Sequence, residues 1–306
     1  MIDNVFTGFE TAHAATIINR NNTIMLCWHG RKLSRDQLAI WFSYYDKESQ
    51  LWSEPKKITS SLNHSQNCMN PVLFQEKNKE VLLYFKEGTY PPHWKGWQMN
   101  FDSTKNQWSK PVSLENGFLG PTRSPPVSTG DWVLSLGSQE TTTERYVVFE
   151  RYNYRTTEQQ LISLKPEKSL KENISAIQPA LVVRPDQSIL ALCRTIMGYI
   201  YQTSSYDHGL NWAPFEKTDM ENPDSAICTL TVENGYYVMM NPDSSNRSNL
   251  WIIFFPWAGK KVVLHKINHE NKDIAYPSLI LLKNGHLLAA YSINQRVIKV
   301  VEINRI

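Results

Sequence analysis

The residues of this chain best suited to chemistry are guanidinium, amide, imidazole and aromatic groups rather than metal ligands. Arg194 follows five apolar residues, Ile189–Cys193, and Arg247 lies in Asn246-Arg247-Ser248-Asn249-Leu250. A planar guanidinium fork matches a carboxylate better than a lysine does. His29 and Asp36, in the stretch Trp28–Asp36, carry side chains that can each give or take a proton. Tyr90, Pro91, Pro92, His93, Trp94 and Trp97 form an aromatic loop able to stack on a sugar ring. The chain has no Gly-rich phosphate loop leading into a helix, no Cys/His metal cluster and no G-x-S-x-G nucleophile turn. Neither a cofactor nor a metal is therefore expected.

Short strands joined by tight turns must position these groups. The octet Ser205-Tyr206-Asp207-His208-Gly209-Leu210-Asn211-Trp212 reads as the staple of a β-hairpin. Its Ser and Asp can bond the backbone of the turn, Gly209 supplies a positive φ, and Trp212 can tuck its ring beneath. A turn followed by a short apolar strand recurs six times, starting at Asn21-Asn22-Thr23, Asn78-Lys79-Glu80, Thr129-Gly130-Asp131, Pro185-Asp186-Gln187, Glu233-Asn234-Gly235 and Lys283-Asn284-Gly285. The first apolar residues stand at 24, 81, 132, 189, 236 and 287, at intervals of 57, 51, 57, 47 and 51. A period near fifty with several short strands per unit is the mark of a β-propeller. The expectation is an all-β, six-bladed propeller of four-stranded blades, residues 1–306 as a single domain. The first residues would complete the last blade, so that no sheet edge is left open.

Composition narrows the partners. Aromatic residues make up 11% of the 306, with ten Trp and fourteen Tyr, which suits strands. A net charge of +3 without any Lys/Arg block argues against nucleic acid. No stretch approaches the roughly 20 apolar residues of a membrane span, so no membrane partner is expected. Met1–Val5 does not begin a signal peptide, and Cys27, Cys68, Cys193 and Cys228 show no pairing or metal spacing. A cytoplasmic protein is expected on these grounds. The oligomeric state is left open.

The octet resembles the Asp-box of sialidases, the bacterial neuraminidase repeat. Asp46 with Trp52 and Asp102 with Trp108 look like partial copies, while the stretches around Tyr152-Asn153 and Pro256-Trp257-Ala258-Gly259 are eroded. The resemblance implies that Arg194, ending the inner strand before the octet, and Arg247 are the second and third of three arginines holding a sugar carboxylate. It implies that Tyr276, in Ile274-Ala275-Tyr276-Pro277, is the nucleophile, since sialidases use Tyr where other glycosidases use a carboxylate. The family's Glu base falls at Gln178, which can orient a phenol but cannot take its proton. The first arginine of an Arg-Ile-Pro motif is absent from Glu10–Ile17, where His13 stands instead. Asp36 or His29 would be the acid, and Arg31 a substitute ligand for the carboxylate. Asn70, Arg123, Gln178 and Asn222 enter four blades at similar phase and are expected on one rim, a surface suited to a sugar acid. The expected function is a sialidase-like exo-glycosidase that takes a terminal acidic sugar from a carbohydrate. Two alternatives stand beside it: a lyase or rhamnosidase-like enzyme on uronate-containing glycans, and a non-catalytic propeller that binds a glycan or protein.

Overall fold

The computed structural model describes residues 1–20, 23–59, 66–76, 79–115, 117–141, 143–165 and 174–305. Among them helix is confined to one 3-10 turn, Pro91–His93. The first strand, β1 (Asp3–Phe6), is followed by strands that pair with their chain neighbours in antiparallel meanders. The first meander contains β2 (Thr11–Arg20), β3 (Thr23–Arg31) and β4 (Ala39–Asp46), with the short β5 (Leu51–Trp52) and β6 (Lys56–Lys57) on β4. The second contains β7 (Cys68–Gln75), β8 (Val81–Glu87) and β9 (Lys95–Asp102), with β10 (Gln107–Trp108) and β11 (Val112–Ser113) on β9. The third runs β12 (Val127–Thr129), β13 (Trp132–Glu140), β14 (Arg145–Asn153), β15 (Gln159–Leu164). The fourth runs β16 (Ile177–Val183), β17 (Ile189–Arg194), β18 (Tyr199–Ser205), β19 (Glu216–Glu221). The fifth runs β20 (Cys228–Val232), β21 (Gly235–Met240), β22 (Asn249–Pro256), β23 (Val262–Asn268). The sixth is β24 (Ile274–Leu281), β25 (Leu287–Ile293) and β26 (Val297–Ile303), with β1 as its fourth strand on β26.

Each of the six apolar markers falls on the second strand of its sheet. Asn21, Asn22 and Asn78, the turn residues of the first two copies, lie outside the described residues. A second strand such as β17 (ILALCR) is buried along its whole length, which requires apolar cover on both faces and explains its unbroken hydrophobic run. Fourth strands such as β19 (EKTDME) are mostly exposed and charged. The chain divides into two compact units, residues 1–119 with 272–306, and residues 120–271. In the first unit Trp28, Leu26, Ile24 and Ala290 form one core and Phe85, Leu83 and Met99 another. In the second, Leu192, Ile227 and Val238 pack together, as do Leu134, Phe149 and Cys193.

The turn from third to fourth strand carries the staple. Ser205 Oγ accepts the Gly209 N–H at 2.8 Å, and Asp207 Oδ1 accepts the N–H groups of Leu210 and Asn211 at 3.1 and 2.9 Å. Gly209 has φ +81°, and Trp212 stacks on Phe149 with centroids 4.1 Å apart. Asp46 and Asp102 cap the same turn in their sheets. Asn153, in a stretch the sequence reading treats as eroded, does so too: its Oδ1 accepts from Arg155 and Thr156 N–H, because an amide oxygen serves a backbone donor as a carboxylate does.

A second repeat is visible only in the backbone. Ala14, Asn70, Gly120, Gln178, Asp224 and Tyr276 all have φ between +46° and +69°. Each lies ten to twelve residues before the marker of its sheet. At Ala14, Asn70, Gln178 and Tyr276 the ladder between first and second strand breaks register, so these are β-bulges. Gly120 and Asp224 head the segments that lead into β12 and β20. A left-handed conformation costs a non-glycine residue about 1–2 kcal/mol, and such strain collects where side chains are aimed for function.

Candidate functional site

Two clusters form around these bulges, one in each unit. In residues 120–271 the register pairs Ile177 with Arg194, which puts Gln178 beside the end of β17. The sequence reading has Arg194 ending an inner strand. It ends instead the second strand of its sheet, held between β16 and β18, because the apolar run that precedes it is the most deeply covered strand. Arg194 Nη1 donates to the main-chain oxygen of Asp224 at 2.8 Å, and Arg247 Nη2 donates to the same oxygen at 3.1 Å. The structure thus brings together two arginines that lie 53 residues apart in the chain. Arg145 Nη2 adds bonds of 2.9 and 3.2 Å to the Asp224 carboxylate, and Arg194 Nε approaches Asp224 Oδ1 at 3.5 Å.

Glu140, the last residue of β13, accepts from Gln178 Nε2 at 3.5 Å. Burial pushes its carboxyl up from the ordinary range, and Arg194 and Arg145 only partly oppose that. Gln178 N–H is held by Ser138 Oγ at 2.7 Å. Gln178 Oε1 and Ser225 Oγ are buried without a hydrogen-bond partner among the described residues. A buried polar atom left unmatched is costly and points to a ligand or water. The cluster therefore sets three guanidiniums against two carboxylates, one of them biased towards its neutral form.

The remaining predicted residues of this unit, Asn222 and Arg123, are both buried. Asn222 is fully buried, its Oδ1 accepting from Ser225 N–H and its Nδ2 donating to Asn241 O. Arg123 is buried in the segment before β12.

In the first unit the bulges carry His13, Asn70 and Tyr276. The Asn70 N–H donates to His29 Nδ1 at 3.1 Å, so the His29 proton sits on Nε2 in the neutral ring. His13 and His29 are ring neighbours, with centroids 5.7 Å apart, and His13 and Tyr276 are closer at 4.1 Å. His13 Nδ1 lies 2.7 Å from Ser292 Oγ, which donates to Ala275 O at 3.0 Å. Arg31 ends β3 half-buried, and its Nε has no hydrogen-bond partner among the described residues. Asp36 closes its own turn, accepting the Leu33 N–H at 3.1 Å. In the aromatic loop Tyr90 and His93 lie 4.3 Å apart, and Trp97 Nε1 donates to Glu87.

Sequence reasoning missed Asp224, Arg145, Glu140, Ser225 and Ser292. The stretch Asn222-Pro223-Asp224-Ser225 holds the signal for Asp224, but only the backbone shows that residue 224 takes the left-handed position. Arg145, Glu140 and Ser292 meet the site through pairings 38 to 279 residues long. Among the described residues there is no group of three or more His, Cys, Asp or Glu able to hold a metal ion. No helix among them is long and apolar enough to cross a membrane.

Six meanders, four of them with a capped third turn, define a six-bladed β-propeller of the sialidase type. The chain matches the BNR repeat-like domain over residues 22–288 and belongs to that family. It is similar to the intramolecular trans-sialidase from Ruminococcus gnavus, with TM-score 0.74 and 12% identity over 99% of this chain and 97% of that one. Its similarity to the NanB sialidase from Streptococcus pneumoniae has TM-score 0.73 and 10% identity over 98% and 70% of the two chains. A protein of unknown function from Dyadobacter fermentans is similar at TM-score 0.72 and 13% identity over 99% and 100%. No curated protein matches by sequence. At these identities the likeness establishes the fold.

Proposed function

We propose that this protein is a sialidase-like glycoside hydrolase that releases a terminal acidic sugar. The convergence of Arg194 and Arg247 on one carbonyl, with Arg145 on the adjoining carboxylate, carries the reading. Their surplus positive charge suits an anionic ligand, and each charge-assisted hydrogen bond to a carboxylate contributes about 1.5–3 kcal/mol. Arg194 and Arg247 hold the carboxylate, and Arg31 is a further cation for it. Tyr276 attacks the anomeric carbon as a phenol, which avoids the repulsion an anionic nucleophile would meet from the substrate carboxylate. Asp36 or His29 protonates the departing oxygen.

The test is turnover of a fluorogenic sialoside and of uronate oligosaccharides by the wild type, Arg194→Ala, Arg247→Ala and Tyr276→Phe. Each arginine variant should lose on the order of 10²-fold in kcat/KM, the equivalent of about 2.7 kcal/mol, and Tyr276→Phe should be inactive. Equal turnover by all four proteins refutes the proposal. Gln178, an amide where the family has a carboxylate, favours a second reading as a glycan-binding propeller. Binding without turnover, abolished in Arg194→Ala, would establish that one.

A further inference from the structure

We propose that His13 is the base that removes the phenolic proton of Tyr276. The inference rests on the reading of Tyr276 as nucleophile, and it answers the difficulty raised by Gln178, which cannot accept that proton. His13 and Tyr276 lie on neighbouring first strands, β2 and β24, each at a bulge. His13 precedes left-handed Ala14, and Tyr276 is itself left-handed at φ 57°. The two bulges bring the rings to 4.1 Å between centroids at an interplanar angle of 49°.

The proton on His13 can be located by elimination. Ala275 O can only accept, so the single hydroxyl proton of Ser292 is spent on it at 3.0 Å. Ser292 Oγ therefore accepts from His13, and the 2.7 Å contact requires the His13 proton to be on Nδ1. Nε2 is then the basic nitrogen of a ring that is oriented by a hydroxyl on its other side. The ring contacts of His13 include two titratable groups, His29 and Tyr276. His29 is fixed as the opposite tautomer by the Asn70 N–H, so the two imidazoles do not exchange roles.

In the first half-reaction the Tyr276 hydroxyl proton passes to His13 Nε2, forming imidazolium, and the phenolic oxygen bonds to the anomeric carbon. The bond from that carbon to the leaving oxygen breaks, and its electron pair stays on the oxygen, which is protonated by Asp36. In the second half water adds to the anomeric carbon and gives its proton to Asp36. Tyr276 departs and recovers its proton from His13, so both groups end as they began.

The test combines a kinetic and a substrate-independent readout. In His13→Gln, kcat on the sialoside should fall about 10²-fold near neutral pH and recover towards alkaline pH as the phenol ionises unaided. Added imidazole should restore part of the loss in His13→Ala. Unchanged kcat and pH profile in a folded His13→Gln overturns the inference while leaving the proposed function intact. Heteronuclear NMR of the wild type should show the Nδ1–H tautomer for His13 and the Nε2–H tautomer for His29, with the His13 Nε2 shift moving in Tyr276→Phe. An Nε2–H tautomer at His13 overturns the inference whether or not any sugar is turned over. Absence of turnover with the expected tautomers and shift refutes the hydrolase reading but leaves the His13–Tyr276 proton contact standing.

Discussion

Gly209→Ala should destabilise the protein through a clash that can be separated from the backbone conformation. A Cβ built on Gly209 would lie 2.2 Å from Leu134 Cδ2 and 3.1 Å from its Cγ. Leu134 is fully buried in a cluster with Leu136, Phe149 and Ile189, so its side chain can yield only by disturbing that packing. Overpacking of that kind costs about 1–3 kcal/mol. The φ of +81° adds a left-handed penalty of about 1–2 kcal/mol, less roughly 0.4–1 kcal/mol from stiffening the unfolded chain. The sum is about 1–5 kcal/mol, and at roughly 2 cal/mol/K of unfolding entropy per residue this lowers Tm by about 2–7 °C for a chain of this length.

Gly285 isolates the conformational part, because its φ is +83° and no heavy atom lies within 4 Å of its Cβ position. Gly285→Ala should therefore cost about 1 kcal/mol or less. Scanning calorimetry, with near-ultraviolet dichroism of the Trp212–Phe149 stack, measures both variants. Adding Leu134→Ala to Gly209→Ala should show a favourable coupling of about 1–3 kcal/mol in a double-mutant cycle. A Gly209→Ala midpoint no lower than that of Gly285→Ala, or a cycle without coupling, refutes the steric argument.

Two pH effects follow from buried carboxyls. The Glu140 carboxyl is raised by burial, against Arg194 and Arg145, so the stability tied to its neutral form is complete below the ordinary Glu range and is lost as pH rises through its folded value. Glu140→Gln should gain on the wild type between acid and neutral pH in urea midpoints, and a difference constant across that range contradicts the assignment. For Glu302, burial pushes the carboxyl up, but bonds from Asn284, the Ile2 N–H and His286 outweigh it and hold it below the usual range. Its stabilisation is present above the unfolded value and is lost as pH falls through the folded one. Glu302→Gln should accordingly flatten the acid limb of stability and speed hydrogen exchange in Asp3–Phe6, and an unchanged acid limb argues against it.

How the candidate residues are held explains why position mattered more than residue type. His29 and Ser138, both on second strands, carry the backbone N–H of the bulge on the next first strand. Asn222 and Asp224 stand two residues apart in one short stretch. The first bonds Ser225 in its own turn through Oδ1 and Asn241 O through Nδ2, while the second gathers three arginines. Residue chemistry could not separate them, since an amide and a carboxylate both accept hydrogen bonds from the hydroxyls of a sugar.

The sequence by itself determined what is local. Apolar runs spaced about fifty residues apart mark the second strands, because a strand covered on both faces must be hydrophobic throughout. The staple of Ser205–Trp212 is likewise legible, because its hydrogen bonds span four residues or fewer. Tertiary structure alone decided which side chains meet. His13 reaches Ser292 across 279 residues and Arg145 reaches Asp224 across 79. Those meetings depend on strand register, where a slip of one residue turns every side chain to the opposite face. They depend equally on bulges whose left-handed residues, Ala14, Asn70, Gln178 and Tyr276, follow no single side-chain type that a sequence pattern could detect.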